Sequence, residues 1–100
     1  MINILLCCSA SMFTSLFVQK TKEYAYKNNI GINIQAIPFS NINDHLESAD
    51  IIALVPQIRF QKEKAQELTS KPVYVVDMGD YGTMNVEKVL AEIAKLAENK

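Results

Sequence analysis

The chain has 100 residues, of which 49% are hydrophobic and 21% are charged, and its net charge is −1. This length accommodates one domain with one core, and the apolar share argues against intrinsic disorder. The apolar runs are too short to span a bilayer, and the ten basic residues are scattered among eleven acidic ones. We therefore predict a single domain over residues 1–100, without direct membrane insertion and without a nucleic-acid partner.

The start of the chain and its two cysteines indicate a compartment. Met1 leads directly into a strand-like run, without the basic segment and small-residue cleavage site of a signal peptide. Cys7 and Cys8 are adjacent, so they cannot cross-link distant parts of the chain. We expect a cytoplasmic protein whose two thiols are reduced.

The first half of the chain predicts a strand, a helix and a second strand. The run Ile2–Cys8 is almost continuously apolar, which is typical of a strand buried on both faces of a parallel sheet. The segment Met12–Asn28 predicts a helix that ends at Asn28, Asn29 and Gly31, and one face of it carries Phe13, Phe17, Thr21, Tyr24 and Ala25. The run Gly31–Ile37 alternates and predicts an edge strand, whose apolar side carries Ile30, Ile32, Ile34 and Ala36.

The second half predicts two more strands, each followed by a helix. A short helix over Asn43–Ser48 precedes a strand over Asp50–Val55. A helix over Gln57–Ser70 with a weak apolar stripe (Ile58, Ala65, Leu68) leads to a strand over Pro72–Asp77. Like the first strand, the third and fourth are almost continuously apolar and are expected to be buried on both faces. A final helix over Asn85–Asn99 has the strongest stripe, formed by Val86, Val89, Leu90, Ile93, Leu96 and Ala97.

This alternation predicts an α/β fold with one open, four-stranded parallel sheet, helices on both faces and right-handed crossovers. Ligands of such sheets bind beyond the carboxyl ends of the strands. Three predicted loops meet that description: Cys8–Phe13, Pro56–Arg59 and Met78–Met84. A binding site is therefore expected where these loops come together.

The loop after the first strand has the composition of a phosphate-binding loop. Small residues allow the backbone to curl so that its amides, at the start of a helix, converge on an anion. Hydroxyl side chains add donors, and a helix N-terminus stabilises a nearby thiolate. The predicted nucleophile is Cys8, and the predicted loop comprises Ser9, Ala10, Ser11, Met12, Phe13, Thr14 and Ser15.

The spacing resembles the phosphate loop of low-molecular-weight tyrosine phosphatases, in which a cysteine is followed by five residues and then by Arg-Ser. In this chain the position six residues after Cys8 is Thr14, followed by Ser15. The phosphatase arginine stabilises the transferring group through bidentate contacts. Its absence favours a cysteine that accepts a phosphoryl group without readily passing it to water.

The chain also resembles enzyme IIB of the bacterial sugar phosphotransferase system, of the lactose/cellobiose/diacetylchitobiose type. Residues 8–18 read Cys-Ser-Ala-Ser-Met-Phe-Thr-Ser-Leu-Phe-Val, where that family typically has Cys-Ser-Ala-Gly-Met-Ser-Thr-Ser-Leu-Leu-Val. The segments Ala49–Ile58 and Pro72–Gly82 resemble its Ala-Asp-Val-Val to Gly-Pro-Gln-Ile and Pro-Val to Tyr-Gly segments. Two of the departures from this pattern matter: Ser11, where glycine is usual, and Phe13, where serine is usual.

The resemblance implies a phosphoryl carrier with a phosphocysteine intermediate. The IIA component would donate the group from a phosphohistidine to Cys8, and the acceptor would be a sugar bound by the membrane IIC component. No cofactor is implied. Because neighbouring strand residues point to opposite faces, Cys7 is expected to pack in the core.

The other candidate residues are predicted either to line the site or to have structural roles. Pro56, Gln57, Tyr81 and Gly82 lie on the other two loops and are candidates for lining the site. Turn and cap roles are favoured for Asp77 and Asp80, a solvated position for Arg59 and a structural one for His45. No metal site is predicted.

Two alternatives remain open on the sequence alone. One is a phosphatase-like hydrolase, which the missing arginine opposes. The other is a non-catalytic regulatory module of the same fold, which the substitutions at Ser11 and Phe13 leave open.

Overall fold

A computed structural model of the chain describes residues 1–9 and 12–98, with only the backbone described at Met12. The strands are β1 (Ile2–Cys8), β2 (Ile32–Pro38), β3 (Ile51–Leu54) and β4 (Val73–Val75). The α-helices are α1 (Met12–Lys27), α2 (Lys62–Leu68), α3 (Met78–Gly82) and α4 (Val86–Glu98). Two 3₁₀ helices, Phe39–Asp44 and Pro56–Gln61, follow β2 and β3.

The four strands form one parallel sheet in the order β2-β1-β3-β4. Helices α1 and α4 pack against each other and contact β2 and β3, while α2 packs against β4. All four residues of β3 are buried, so both faces of the sheet are covered at its centre. The predicted fold class is confirmed, and so is the prediction that the second strand lies at an edge.

Helix α1 ends at Lys27, just before Asn28 and Asn29, which predicted its end. The amide of Ile30 donates to the carbonyl of Ala25 at 2.8 Å, and the amide of Asn29 donates to the carbonyl of Tyr26 at 3.4 Å. Asn29 has a φ of 56°, which is the left-handed conformation of a Schellman helix end. Asparagine tolerates this conformation better than most residues.

The two edge strands are less regular than predicted. In β2, Ala36 is exposed and Ile37 is buried, so the alternation that places Ala36 with the apolar side is wrong at this end of the strand. In β4, Tyr74 and Val75 are half-buried. Neighbouring strand residues point to opposite faces, so the partial exposure of both shows that the prediction of a fourth strand buried on both faces is wrong.

The connection between β2 and β3 is also different from its prediction. A 3₁₀ helix over Phe39–Asp44 follows β2, and residues 45–48 form turns, so the predicted short helix over Asn43–Ser48 is wrong. Ile42 is 2% exposed, and the chain must wind directly after Pro38 to bring this side chain into the core. Pro38 itself is extended, with φ −64° and ψ 143°.

The helix predicted over Gln57–Ser70 is divided into the 3₁₀ helix Pro56–Gln61 and α2. Ile58 has a non-helical backbone (φ −117°, ψ 27°) within the first part. Ile58 and Ala65 are buried while Leu68 is largely exposed, so the predicted stripe is correct for two of its three members. Pro56 and Gln57 follow β3 at its carboxyl end, where the amide of Val55 donates to the carbonyl of Cys7 on β1 at 3.1 Å.

Candidate functional site

Described residues of the three predicted loops lie together at the carboxyl ends of the strands. One residue of α1, two residues after β3 and three residues of α3 line a common recess of about 230 Å³: Phe13, Pro56, Gln57, Met78, Tyr81 and Gly82. All four residues predicted to line the site therefore border one cavity. The sequence did not single out Met78, which is exposed and lies on the same wall.

Cys8 is the last residue of β1, and its side chain is 6% exposed. Its Sγ donates to the carbonyl of Ile37 on β2, at 3.5 Å. Ser9 is exposed, whereas the loop residues Ala10 and Ser11 lie outside the described residues. Helix α1 begins at Met12, and the amides of a first helical turn have no partner within the helix. Cys8 thus precedes a helix N-terminus by four positions.

Cys7 is buried more deeply than Cys8. Its side chain is fully buried in the core, as the alternation of strand residues predicted. Burial, followed by the charge of neighbouring Cys8, raises the pKa of Cys7 to about 12. The two adjacent cysteines therefore differ: the thiol of Cys7 lies in the core and stays protonated at neutral pH, whereas Cys8 lies at the carboxyl end of β1.

The raised pKa of Cys7 predicts a loss of stability at alkaline pH. The folded protein holds this proton up to about pH 12, whereas an unfolded thiol releases it near pH ~8.5. The stabilising contribution is fully present below the unfolded pKa and is lost as the pH rises towards the folded one. We expect the free energy of unfolding to fall by up to about 1.4 kcal/mol per pH unit from this group. Urea denaturation from pH 7 to pH 10.5 measures the slope.

The matched variant for that experiment is Cys7→Ala. It is less stable at neutral pH because it leaves a small cavity, but its stability should depend less steeply on pH. Equal slopes in the two proteins would show that Cys7 does not contribute.

Thr14 and Tyr81 join the first turn of α1 to the wall of the recess. Their hydroxyl oxygens are 2.8 Å apart in a buried hydrogen bond. The Tyr81 ring packs between two aromatic rings of α1: Phe13 at 4.9 Å with an interplanar angle of 61°, and Phe17 at 5.0 Å with an angle of 43°. Ser15, by contrast, is exposed. Phe13, at a position where the family that the sequence resembles usually has serine, thus places an aromatic ring against Tyr81.

Burial raises the pKa of Tyr81, the hydrogen bond with Thr14 lowers it, and the charge of Cys8 raises it further. The net direction is upward, so the phenol keeps its proton at neutral pH.

Helix α3 lies where a loop was predicted over Met78–Met84. Asp77 caps it, since its side chain accepts hydrogen bonds from the amides of Gly79 at 3.0 Å and Asp80 at 3.2 Å. A Cβ at Gly79 would lie only 3.1 Å from Oδ2 of Asp77, so glycine allows the cap to approach closely. The cap role predicted for Asp77 is confirmed, and an aspartate followed by a short polar turn was the signal that could have predicted the helix.

Asp80 does not act as a cap. Its Oδ2 lies 3.2 Å from Nζ of Lys88 on α4, and it lines a second cleft of about 460 Å³ with Asp77, Arg59 and Glu92 among others. Arg59 is exposed and donates from Nη1 to the carbonyl of Pro56 at 3.3 Å. These charges therefore line a cleft other than the apolar recess.

The described residues contain neither a candidate metal site nor a candidate membrane-spanning helix. Within residues 1–9 and 12–98, no three His, Cys, Asp or Glu side chains are grouped so that they could hold a metal ion. His45 is half-buried in a turn. None of the helices in the described part of the chain has both the length and the apolar character needed to cross a membrane.

Comparison with protein families identifies the relatives of this chain. A family model described as the lactose/cellobiose-specific IIB subunit of the PTS system matches residues 3–92. The galactose-specific EIIB component of Lactococcus lactis subsp. cremoris is 36% identical, with 93% of this chain and 94% of the relative aligned. The oligo-beta-mannoside-specific EIIB component of Bacillus subtilis is 33% identical, with 98% of each chain aligned.

Solved structures give the same relationship. The cellobiose-specific phosphotransferase IIB component of Borrelia burgdorferi superimposes with a TM-score of 0.83 at 39% identity, covering 99% of this chain and 94% of the other. A lactose-specific IIB domain from Streptococcus pneumoniae superimposes with a TM-score of 0.80, covering 95% and 96%. The latter is 17% identical and shows similarity of fold.

Proposed function

The chain belongs to the lactose/cellobiose-specific IIB subunits of the sugar phosphotransferase system, and on that premise we propose that Cys8 is the residue that carries the phosphoryl group. A phosphoryl carrier needs a nucleophile next to donors that bind a dianion. The placement of Cys8 at the end of β1, just before the first turn of α1, is the observation that supports this assignment. The loop from Ser9 to Ser15 would supply the donors.

In the first step, the thiolate of Cys8 attacks the phosphorus of a phosphohistidine on the IIA component. The S–P bond forms as the N–P bond breaks, and the electron pair leaves on the imidazole nitrogen. The charge on the three equatorial oxygens is stabilised by the amides of the loop and of the first turn of α1. Positioning and electrostatic stabilisation thus supply the catalysis.

In the second step, a hydroxyl oxygen of a sugar bound by the membrane IIC component attacks the same phosphorus. The O–P bond forms as the S–P bond breaks, and the thiolate of Cys8 is regenerated. The hydroxyl proton passes to a base of the acceptor site. The IIB chain therefore leaves the cycle unchanged and takes part as a phosphotransferase component.

The residues around the loop support a carrier rather than a hydrolase. Thr14 replaces the arginine of the phosphatases, and its hydroxyl is bonded to Tyr81. A threonine offers no bidentate cationic contact to the transferring group. Asp80, a carboxylate that could serve as a general acid, instead pairs with Lys88. A phosphocysteine held in this way is available to a docked acceptor and gains little help for attack by water.

The partners follow from the family, and the surface of the site suits them. Phe13 and Met78 expose apolar surface at the recess, and Phe13 belongs to the loop that follows Cys8, which a partner must contact. We propose that residues 1–100 act as one cytoplasmic IIB-type domain that meets IIA and IIC in turn. The relatives named above act with different sugars, and the sugar is recognised by IIC.

The direct test uses the unmodified protein and a phosphorylated IIA component. We expect intact-mass spectrometry to show the addition of one phosphoryl group, and fragmentation to place it on Cys8. A phosphoryl group on Cys7 would contradict the site. No addition with any IIA component of the lactose/cellobiose type would contradict the proposed role of Cys8 as carrier.

A further inference from the structure

The hydrogen bond between Tyr81 and Thr14 connects two segments that are 67 positions apart in the chain. Both residues are buried, with exposures of 3% and 2%. A buried hydroxyl that loses its partner leaves the other oxygen unsatisfied, which costs more than the bond itself is worth. The pair therefore restrains the start of α1 against the wall of the recess.

Thr14 is well placed to transmit this restraint to the phosphate loop. It lies in the first turn of α1, six positions after Cys8. The amides of a first helical turn have no partner within the helix itself, and the orientation of these amides depends on the backbone of the turn that contains Thr14. A side chain that fixes Thr14 thus fixes the donors on which anion binding depends.

Tyr81 is itself held rigidly. Its ring lies against Phe13 and Phe17, and its amide donates to the carbonyl of Asp77 at 2.8 Å. Burial and the charge of Cys8 raise the pKa of its phenol. The hydroxyl consequently remains protonated and keeps one O–H in the pair through the whole range of neutral pH.

We infer that Tyr81 is a positioning residue for phosphoryl acceptance, which acts through Thr14 to hold the first turn of α1 where its amides face the thiolate of Cys8. This inference rests on the proposed function. It adds that a residue of α3 restrains the helix start that follows Cys8.

The experiment compares Tyr81→Phe, Thr14→Val and the double variant. Tyr81→Phe keeps the ring contacts and removes only the hydroxyl. We expect each single variant to accept the phosphoryl group from phosphorylated IIA about three- to tenfold more slowly, as for the loss of one buried hydrogen bond. The double variant should be no slower than the slower single variant, because both substitutions remove the same bond.

Two further variants serve as controls. Thr14→Ser restores the hydroxyl that Thr14→Val removes and should recover most of the rate that Thr14→Val loses. Tyr74→Phe removes the hydroxyl of a different half-buried tyrosine, in the cleft that contains Glu92, and should have no effect on the rate. Additive losses in the double variant, or unchanged rates in both single variants, would overturn the inference.

A second readout does not depend on IIA. In a Cys7→Ala background, the pH dependence of alkylation by iodoacetamide reports the thiolate of Cys8 alone. We expect Tyr81→Phe and Thr14→Val to move the midpoint of this profile to higher pH by the same amount, while urea denaturation shows that the proteins are folded. An unmoved profile in both variants would overturn the positioning role, even if IIA did not phosphorylate the unmodified protein.

Discussion

Replacing Cys8 by serine should abolish phosphoryl acceptance, lowering its rate by at least about 10³-fold, because an alcohol is a far weaker nucleophile than a thiolate at neutral pH. The substitution is nearly isosteric, and the side chain lies at the end of β1 with its Sγ bonded to the carbonyl of Ile37. A serine hydroxyl can make the same bond, so the fold should be retained. Intact-mass spectrometry after incubation with phosphorylated IIA measures the loss.

The neighbouring cysteine is the matched control. Cys7→Ala removes a thiol of the same strand but of the core, and it should lower stability while leaving the rate of acceptance close to that of the unmodified protein. Rapid phosphorylation of Cys8→Ser, or a rate in Cys7→Ala as low as in Cys8→Ser, would contradict the assignment of the nucleophile.

Replacing Phe17 by alanine should cause the largest loss of stability among the substitutions considered. The ring is 1% exposed and packs against Tyr81, and truncating a buried phenylalanine costs about 3–5 kcal/mol. Domains of this size are stable by only about 5–15 kcal/mol. We therefore expect the midpoint of urea denaturation to fall steeply.

The adjacent residue provides the control for this prediction. Leu16 is 46% exposed on the outer side of the same helix, and Leu16→Ala should change the free energy of unfolding by no more than about 0.5 kcal/mol. If Phe17→Ala does not fold, Phe17→Leu should show an intermediate loss. Equal effects at positions 16 and 17 would contradict the packing described here.

The sequence predicts the sheet well because its central strands are buried. β1 matches its predicted bounds, and β3 lies within its predicted run, since strands covered on both faces require continuous apolar runs. The edge strands are less well predicted. An edge strand pairs with one neighbour only, so local packing decides which of its side chains are buried. In β2, Ile37 is buried and Ala36 is exposed.

The candidate site could be predicted in part. The position of Cys8 before a helix start, and the approach of the loops after β3 and β4, follow from the general geometry of parallel sheets. The hydrogen bond of Thr14 with Tyr81 could not be predicted, because it joins side chains 67 positions apart whose distance depends on packing. Likewise, nothing in the sequence indicated that Asp80 and Lys88 would form an ion pair.

The five-residue helix α3, with the sequence Met-Gly-Asp-Tyr-Gly, has a consequence for the dynamics of the site. A helix this short, with two glycines, has no intrinsic stability in water. It persists through the cap of Asp77, the aromatic contacts of Tyr81 and the ion pair of Asp80. The position of Tyr81 therefore depends on tertiary contacts and not on helix propensity. A substitution that removes one of these contacts should loosen α3 at a small fraction of the free energy of global unfolding, while the sheet that carries Cys8 remains intact.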